Sequence, residues 1–532
     1  MTLAAAGGAP PRRFWRVLLA AGVLGALSAA ALPPLYGLPV LVVAIPGLLA
    51  LIGTSTRARD AFWLGCAFGF GHHVFGLYWI TDAILIEAAD FWWFVPIAVP
   101  GLAAILAPFI GIAALVAWFV PAGWRRVLLF AAVWMLGDLV RQFLGGGFPW
   151  NPWASVWAFP GVAGEIMLQP IALVGTQGVT GLTLLLAGLP ALGRRGWLAG
   201  AALLVVWAGF GAVWRARPAG APPGITAILV QGNVAEGDKW SPERAVTIFR
   251  RYLDLTSEGV YRADQGRTVS GHADSGHADL GHGGVGQTLV IWPETASPYP
   301  LLDDPEARRA IAIAAGGAPA LVGSVRRGRD GRPRNSLIAL DGKGDVIGVY
   351  DKYHLVPGGE YQPQWLPLPV DIVPGGGFAP GAGPKTLTLP GLVPVAPLIC
   401  YEAIYPHAIV DEAARPRLLV NITNDAWFGN SSGPRQHLAA ARMRAIEEGL
   451  PLLRAANTGI SAAFDAHGRE VARLGLGQTG IKLVAVPGAL PPPPFARFGL
   501  LVPLLLGFAA IAVVIGVGLA RKWEISGHQF KT

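Results

Sequence analysis

Charge is scarce in this chain: Asp, Glu, Lys and Arg make up 14% of its 532 residues, where soluble globular domains carry roughly 25%. An ordinary cytosolic enzyme is therefore excluded. Cysteine is scarcer still, with Cys66 inside an apolar segment and Cys400 far away in the polar middle; a disulfide framework is excluded and a free thiol is left to explain. The 71 Gly and 45 Pro lie between apolar runs rich in Leu, Ala, Val and Trp, so neither disorder nor a collagen-like repeat fits. A nucleic-acid footprint is missing too. Residues 1–214 and 521–532 together hold 13 Lys and Arg against 7 Asp and Glu, leaving 28 against 26 for residues 215–520. The net excess sits in short loops between apolar segments, where membrane orientation requires it, and the nearly neutral middle argues against nucleic acid as a partner.

What the chain does have is apolar length, with 53% hydrophobic residues and a mean hydropathy of +0.48. Seven apolar stretches, at about 14–32, 38–54, 61–81, 91–120, 127–144, 166–192 and 197–214, precede the polar middle, and one at 497–519 follows it. Each is near the roughly 20 residues a helix needs to cross a bilayer, which predicts about eight spans. Arg12, Arg13 and Arg16 before an apolar run resemble a secretory signal, but further spans follow at once and an uncleaved anchor is the preferred reading. Arg57 and Arg59, Arg125 and Arg126, Arg194 and Arg195, then Arg521, Lys522 and Lys531 occupy alternate loops and the C-terminus. The positive-inside rule then predicts a multi-pass protein of the cytoplasmic membrane, with both termini cytoplasmic and the large domain on the far side. The expected division is a transmembrane domain at 1–217, an extracytoplasmic domain at 218–492, and a last helix with its tail at 493–532.

The middle reads as alternating strands and helices, an α/β layered domain. Strand candidates are ITAILVQ, TLVIWPE, ALVGSV, NSLIAL with VIGVYDK, TLTLP with VPVAPLIC, RLLVNIT, LPLLRAA and ISAAFDA. Helices are predicted over 242–258, 305–315, 404–414 and 434–448. Residues 263–287 form a Gly/His/Asp-rich insertion in which GHAD occurs twice. A flexible insertion is expected there, since a glycine stretch does not preorganise His272, His277 and His282 as metal ligands.

Three short patterns are decoys. GHGGVG at 281–286 and GLGQTG at 475–480 match the dinucleotide fingerprint, but neither follows a strand and opens a helix. GNSSG at 429–433 fits a nucleophile elbow around Ser431, with His437 close by, yet NDAWF separates it from the strand RLLVNIT where a sharp strand-to-helix turn is needed.

A better constellation stands at three strand ends, where Glu294 closes TLVIWPE, Lys352 closes VIGVYDK and Cys400 closes VPVAPLIC. Strand ends of a layered α/β domain meet on one rim, so a carboxylate, an ammonium and a thiol converge there. A thiol with a pKa near about 8.5 needs a base or a positive neighbour to become a thiolate; Glu294 offers the first and Lys352 the second. The spacing alone leaves open a core cysteine, a turn-capping glutamate and a solvated lysine.

The segments VIWPE, YDKYHLVPGGEY and LICYE resemble the Glu, Lys and Cys motifs of the nitrilase superfamily. Together with QGNVAEGDKW, NITNDAWFG, GPRQHLAAARMRAIEEGLPLLRAANTGIS and GFPWN at 147–151, they make nearly the whole chain resemble the apolipoprotein N-acyltransferases. The resemblance implies a polytopic α-helical membrane domain carrying a nitrilase-like α-β-β-α sandwich. It also implies Glu294 as general base, Lys352 as oxyanion stabiliser and Cys400 as nucleophile, supported by Trp240, Glu360, Tyr401 and Glu402 near the substrate. Neither a metal nor a cofactor is implied. The implied reaction moves a fatty acyl chain from a phospholipid, phosphatidylethanolamine by resemblance, to the N-terminal amine of a diacylated apolipoprotein, with the active site on the periplasmic side of a bacterial inner membrane. Two departures stand out: the family has a bulky apolar residue where Gly358 stands, and the 263–287 insertion is unusual. A membrane-tethered amidase-type hydrolase and a transporter with an accessory domain are the rival readings. For transport, Asp138 and Arg141 are the main intramembrane charges available. The loop from Gly358 to Gly383 reads either as a lid on glycine hinges or as a surface loop. His72 and His73 either line a lipid portal or make an interhelical bond.

Overall fold

The structure, a computed structural model, describes residues 12–86, 91–239, 241–270, 287–363 and 377–529. Each of the eight apolar stretches contains a helix: Arg12–Ser28, Leu41–Thr54, Ala58–Gly76, Val95–Trp118, Trp124–Arg141, Ile171–Gly188, Gly193–Arg215 and Leu501–Gln529. Pro100 and Pro108 lie inside Val95–Trp118 without ending it. Four helical runs among the described residues are long and apolar enough to cross a membrane, namely Phe14–Ala31, Trp92–Trp118, Ile171–Arg215 and Leu501–Ala520. The third is a hairpin, because Gly200 faces Leu186 while Gly211 packs on Ile166.

Neighbouring helices alternate in direction. Gly22 lies against Ala67 and Gly71 near Ala26, so the first and third helices run parallel, as two helices separated by one return passage must. Gly65 meets Ala114 and Gly69 meets Ala107, an antiparallel pair in which small residues let the backbones close up. The last helix runs antiparallel to Trp124–Arg141, with Gly507 beside Leu136 and the Arg125 guanidinium on the Val514 carbonyl. The Arg125 end of the bundle is therefore the end opposite the α/β domain. Asp138 and Arg141 are spent on each other at 3.3 Å, and Arg141 also donates to the Trp150 carbonyl. His72 and His73 are both buried, and His72 makes an interhelical hydrogen bond with Ser28 at 2.9 Å.

Among the described residues, the α/β domain has eleven strands in two sheets. β1 (Ile225–Gln231), β2 (Gln287–Ile291), β3 (Ala320–Arg327), β4 (Pro333–Leu340), β5 (Val346–Asp351) and β11 (Gly480–Ala485) form one sheet in the order β11-β1-β2-β3-β4-β5. β6 (Val395–Ile399), β7 (Leu418–Thr423), β8 (Leu452–Ala456), β9 (Ser461–Phe464) and β10 (Glu470–Leu474) form the other, in the order β10-β9-β8-β7-β6. Leu229, Ile291 and Leu337 from the first sheet pack against Ile399, Val420 and Leu453 from the second. Helices Pro242–Ser270 and Pro305–Ala314 cover the outside of the first sheet, and Gly433–Glu448 covers the outside of the second, giving α-β-β-α layers.

Three expectations need correction. The 404–414 helix does not form: after Cys400 the chain makes a single 3-10 turn, Cys400–Ile404. Tyr405 precedes Pro406 and is extended, as residues before proline tend to be, and His407 has a positive φ. TLTLP contributes only a bridge between Leu387 and Val395. The helix expected over 242–258 runs on to Ser270, so the first part of the 263–287 insertion is helical; the rest of that insertion, residues 271–286, falls outside the described residues, with GHGGVG and its histidines. GLGQTG is the turn joining β10 to β11.

Helix Gly433–Glu448 is buried nearly all round, because its outer side lies on the membrane helices. Gln436 accepts from the indoles of Trp79 and Trp150 at 3.1 and 2.8 Å, and Glu447 accepts from the Thr176 amide at 2.8 Å. One apolar core runs from Leu48 and Phe68 in the bundle through Ala441 and Ile446 to Leu452 and Phe464 in the second sheet.

Candidate active site

β2, β3 and β5 point the same way, so the residues just beyond them share one rim with the end of β6. Beyond β2 the chain turns tightly over Gly323, where a Cβ would lie 2.1 Å from the Pro293 carbonyl oxygen. Only glycine admits that approach, and it fixes the height of Glu294 above the sheet. Lys352 follows β5 directly, and its amide donates to Asn335 of the neighbouring β4 at 2.8 Å. Cys400 follows β6 with φ +52, so the nucleophile candidate sits at a strained strand-to-turn elbow of the kind GNSSG lacks.

The three side chains meet. Lys352 Nζ donates to Glu294 Oε1 at 3.3 Å and to Glu360 at 2.9 Å. Asn335 Nδ2 donates to Glu294 Oε1 at 2.7 Å and to Glu360 Oε1 at 3.0 Å, while the Asn424 amide takes Glu294 Oε2 at 2.8 Å. Cys400 is buried beside Glu294 and Lys352, close enough for both charges to bear on its thiol, while the Thr423 hydroxyl donates to Asp425 Oδ1 at 3.2 Å. Lys352 is 1% exposed, so water cannot set the charges here and the neighbours must. Burial works against an ammonium, yet Glu294 and Glu360 outweigh it and hold the Lys352 pKa above its ordinary value. Burial likewise works against the Glu294 carboxylate, but Lys352, then Lys239, hold its pKa below the usual range. Burial, with Glu294 next to it, pushes the Cys400 thiol well up, against the pull of Lys352. These directions favour a thiol at Cys400 beside a carboxylate at Glu294 and an ammonium at Lys352.

Of the other expected residues, Glu360 joins the cluster and Glu402 supports it from below. Gly358, at φ +77, makes a turn in which its amide donates to the Tyr361 carbonyl at 2.8 Å, and the carboxylate two residues on still reaches Lys352. The departure at Gly358 thus leaves the Glu360 loop packed. Phe378 donates to the Glu360 carbonyl and Gly381 to that of Lys352, so both ends of the 358–383 loop are tied to the site; its tip, 364–376, lies outside the described residues. So does Trp240. The short helix before it, Glu236–Lys239, reaches the site through Lys239 Nζ, 3.2 Å from the Glu294 carbonyl. Tyr401 turns away, donating to the Gly147 carbonyl at 2.8 Å, which makes GFPWN a joint between the bundle and the nucleophile turn.

Glu402 Oε1 accepts from the Tyr350 hydroxyl and the Tyr353 and His354 amides, and Oε2 accepts from the Ile399 amide at 2.6 Å. It staples the end of β6 to the residues after Lys352, and burial raises its pKa to about 7. A glutamine presents an NH₂ to one of these donors, so Glu402→Gln is expected to cost about 1–3 kcal/mol of stability, read as a lower Tm in detergent. Because the wild-type carboxylate is held above its unfolded pKa, it costs stability increasingly from about pH 4.5 to 7, and the penalty of the substitution is correspondingly larger at pH 5 than at pH 8.

Asn335, Asn424 and Lys239 were not singled out from the sequence. Asn424 and Lys239 carried a signal, lying in NITNDAWFG and QGNVAEGDKW; Asn335 is recognisable only once β4 is folded beside Glu294. Ser431 is not paired with a base in this arrangement: its hydroxyl donates to the Phe428 carbonyl at 2.6 Å, and His437 Nε2 is on the Cys400 carbonyl at 3.0 Å.

The profile of the carbon-nitrogen hydrolase family matches residues 280–490, and that of the apolipoprotein N-acyltransferase N-terminal domain matches residues 24–189. The chain is 37% identical over 496 residues to an apolipoprotein N-acyltransferase of Allorhizobium ampelinum, covering 88% of this chain and 89% of the relative. It is 36% identical over 541 residues to one of Rhodopseudomonas palustris, covering 96% of each. Among solved structures, a Nesterenkonia amidase from the nitrilase superfamily matches half of this chain and 92% of its own at 18% identity, with a TM-score of 0.34.

Proposed function

Because the chain belongs to the apolipoprotein N-acyltransferase family, as relatives aligned over most of its length establish, we propose that it transfers a fatty acyl chain from phosphatidylethanolamine to the N-terminal amine of S-diacylglyceryl-cysteine by way of a Cys400 thioester. The observation that carries this reading is the buried cluster in which Glu294 accepts from Lys352 at 3.3 Å with the Cys400 thiol under the influence of both.

In the first step the Cys400 sulfur bonds to the ester carbonyl carbon while Glu294 takes the thiol proton. The resulting oxyanion is stabilised by Lys352, whose charge is fixed by two carboxylates before the substrate arrives. Collapse breaks the ester C–O bond, Glu294 returns the proton to the departing alkoxide, and a lysophospholipid leaves. In the second step the lipoprotein amine attacks the thioester, Glu294 accepts its proton and passes it to the departing sulfur, and an amide is released. Asn335 and the Asn424 amide keep the Glu294 carboxylate in place through both steps. Glu360 steadies Lys352, Glu402 and Tyr401 hold the nucleophile turn, and Trp240 is assigned a supporting role near the substrate on family resemblance.

Both substrates are anchored by acyl chains worth about 0.8 kcal/mol per buried CH₂, so the reaction belongs at the membrane surface. The chain crosses the inner membrane eight times, with 1–217 and 493–532 in or along it and 218–492 in the periplasm. This is supported by the alternating helices and by the arginine pairs at the end of the bundle opposite the α/β domain.

Intact-mass spectrometry after incubation with phosphatidylethanolamine alone tests the reading. Wild type and Ser431→Ala are both expected to gain one fatty-acyl mass, and a diacylated lipopeptide is expected to remove it as an amide. Release of free fatty acid with the lipopeptide left unmodified supports a hydrolase instead, and an unacylated enzyme rejects the thioester.

A further inference from the structure

The nucleophile turn has a second set of buried partners that the proposed chemistry does not use. His437, on helix Gly433–Glu448, is fully buried, with Nε2 3.0 Å from the Cys400 carbonyl oxygen and Nδ1 2.8 Å from Asp425 Oδ1. Arg454 Nη2 lies 2.7 Å from Asp425 Oδ2 and 3.2 Å from His437 Nδ1, and the same guanidinium reaches the Ile460 carbonyl and Asn421. Asn421 in turn donates to the Leu398 carbonyl of β6 at 3.1 Å. Asp425 is ionised, its pKa brought down to about 2 by Arg454 and His437 against burial.

A carbonyl oxygen only accepts, so Nε2 carries a proton whatever the state of Nδ1. That contact falls on the residue whose backbone is strained: a non-glycine at φ +52 costs about 1–3 kcal/mol and persists only when its surroundings over-determine it. The peptide from Cys400 to Tyr401 is planar and trans, so fixing its C=O also fixes its N–H, which points the opposite way. In enzymes with a nucleophile elbow, the N–H following the nucleophile is one of the two donors to the oxyanion.

We propose that His437 is a positioning residue for acyl transfer: by donating from Nε2 to the Cys400 carbonyl, it locks the 400–401 peptide so that the Tyr401 N–H stands beside Lys352 as the second oxyanion donor. Asp425 and Arg454 hold the ring at the angle this requires. Two other roles fit these residues less well. Cys400, Asp425 and His437 offer sulfur, oxygen and nitrogen within 4.8 Å of one another, but a cation there meets the Arg454 guanidinium on the same carboxylate. A histidine base for the thiol is excluded by the commitment of the Nε2 proton to the carbonyl.

The inference rests on Cys400 being the acylated residue, and the test separates the two. His437→Leu removes the donor, whereas His437→Gln carries an amide N–H long enough to reach the same carbonyl. Acyl-enzyme formation from phosphatidylethanolamine is expected to slow by about 100-fold in His437→Leu with KM unchanged, and to recover most of that in His437→Gln. Alkylation of Cys400 by iodoacetamide forms no oxyanion and is expected to proceed at the wild-type rate in both. Where His437→Leu does not fold, His437→Asn, whose amide stops short of the carbonyl, replaces it with the same expectation. Equal acylation by wild type and the donor-less variant overturns the proposal, as does a parallel fall in acylation and alkylation, or failure of His437→Gln to recover. A wild-type enzyme that never acylates overturns the Cys400 reading itself.

Discussion

A Cys400→Ala variant will take up no acyl mass from phosphatidylethanolamine, and lipopeptide acylation will fall by about 10⁴-fold or more. The size of the effect follows from the division of labour in the cluster. The surroundings favour an ionised Glu294 and a protonated Cys400, so the nucleophile is made by passing the thiol proton to the neighbouring carboxylate. With the sulfur gone, Lys352 still has its charge and Glu294 its base strength, but neither can form the covalent intermediate. The fold should survive: alanine removes a small buried thiol from a turn fixed independently by Glu402, Tyr401 and His437. An unchanged Tm beside an abolished acyl mass is the expected pair of results. Acylation persisting in the variant assigns the nucleophile elsewhere.

The second large effect is on stability as well as activity. Lys352→Met leaves Glu294 and Glu360 facing one another without the ammonium between them, and breaking a buried ion pair from one side costs about 3–5 kcal/mol. The pH dependence distinguishes this from a simple packing defect. In wild type the Glu294 pKa is lowered, so its contribution to stability is present above its unfolded value and is lost as pH falls through the folded one. Without Lys352, burial dominates and that pKa rises, so the variant is penalised above the unfolded value and relieved as the carboxylate takes up a proton. The Tm difference between wild type and Lys352→Met should therefore narrow from pH 8 to pH 5, while acyl-enzyme formation stays lost throughout. A gap independent of pH means that methionine packing, not charge, sets the cost.

Much of this was legible in the sequence because the two periodicities involved leave strong marks. Buried strands such as ITAILVQ and RLLVNIT read as continuous apolar runs, and all eight apolar stretches became helices. Strand ends carrying Glu, Lys and Cys marked the rim. The errors have local causes. The 404–414 segment has helical composition, but Glu402 binds the turn to β6 and Pro406 follows an extended residue, so tertiary anchoring overrides propensity. β10 has only five residues and exposes most of them, which leaves no apolar pattern to find. Asn335, Asp425 and Arg454 could not be assigned from spacing, because each acts across a gap of many residues that only sheet order closes. In the sequence His437 stands beside Ser431 and inside GPRQHLAAARMRAIEEGLPLLRAANTGIS, whereas the residues it bonds, Asp425 and Cys400, lie 12 and 37 positions earlier.

The burial of helix Gly433–Glu448 between the second sheet and the bundle bears on how the molecule can be made. A water-soluble excerpt of residues 218–492 would carry that helix with one side stripped, exposing Leu438, Met443 and Ile446 along with Gln436 deprived of Trp79 and Trp150. Because that helix also carries His437, the excerpt would lose order first in the layer that braces the nucleophile. During synthesis, too, the last layer of the sandwich can be laid down only on helices already assembled in the bilayer. Maturation of the catalytic half thus waits on the membrane half, and an enzyme released from the membrane early would be an unfinished one.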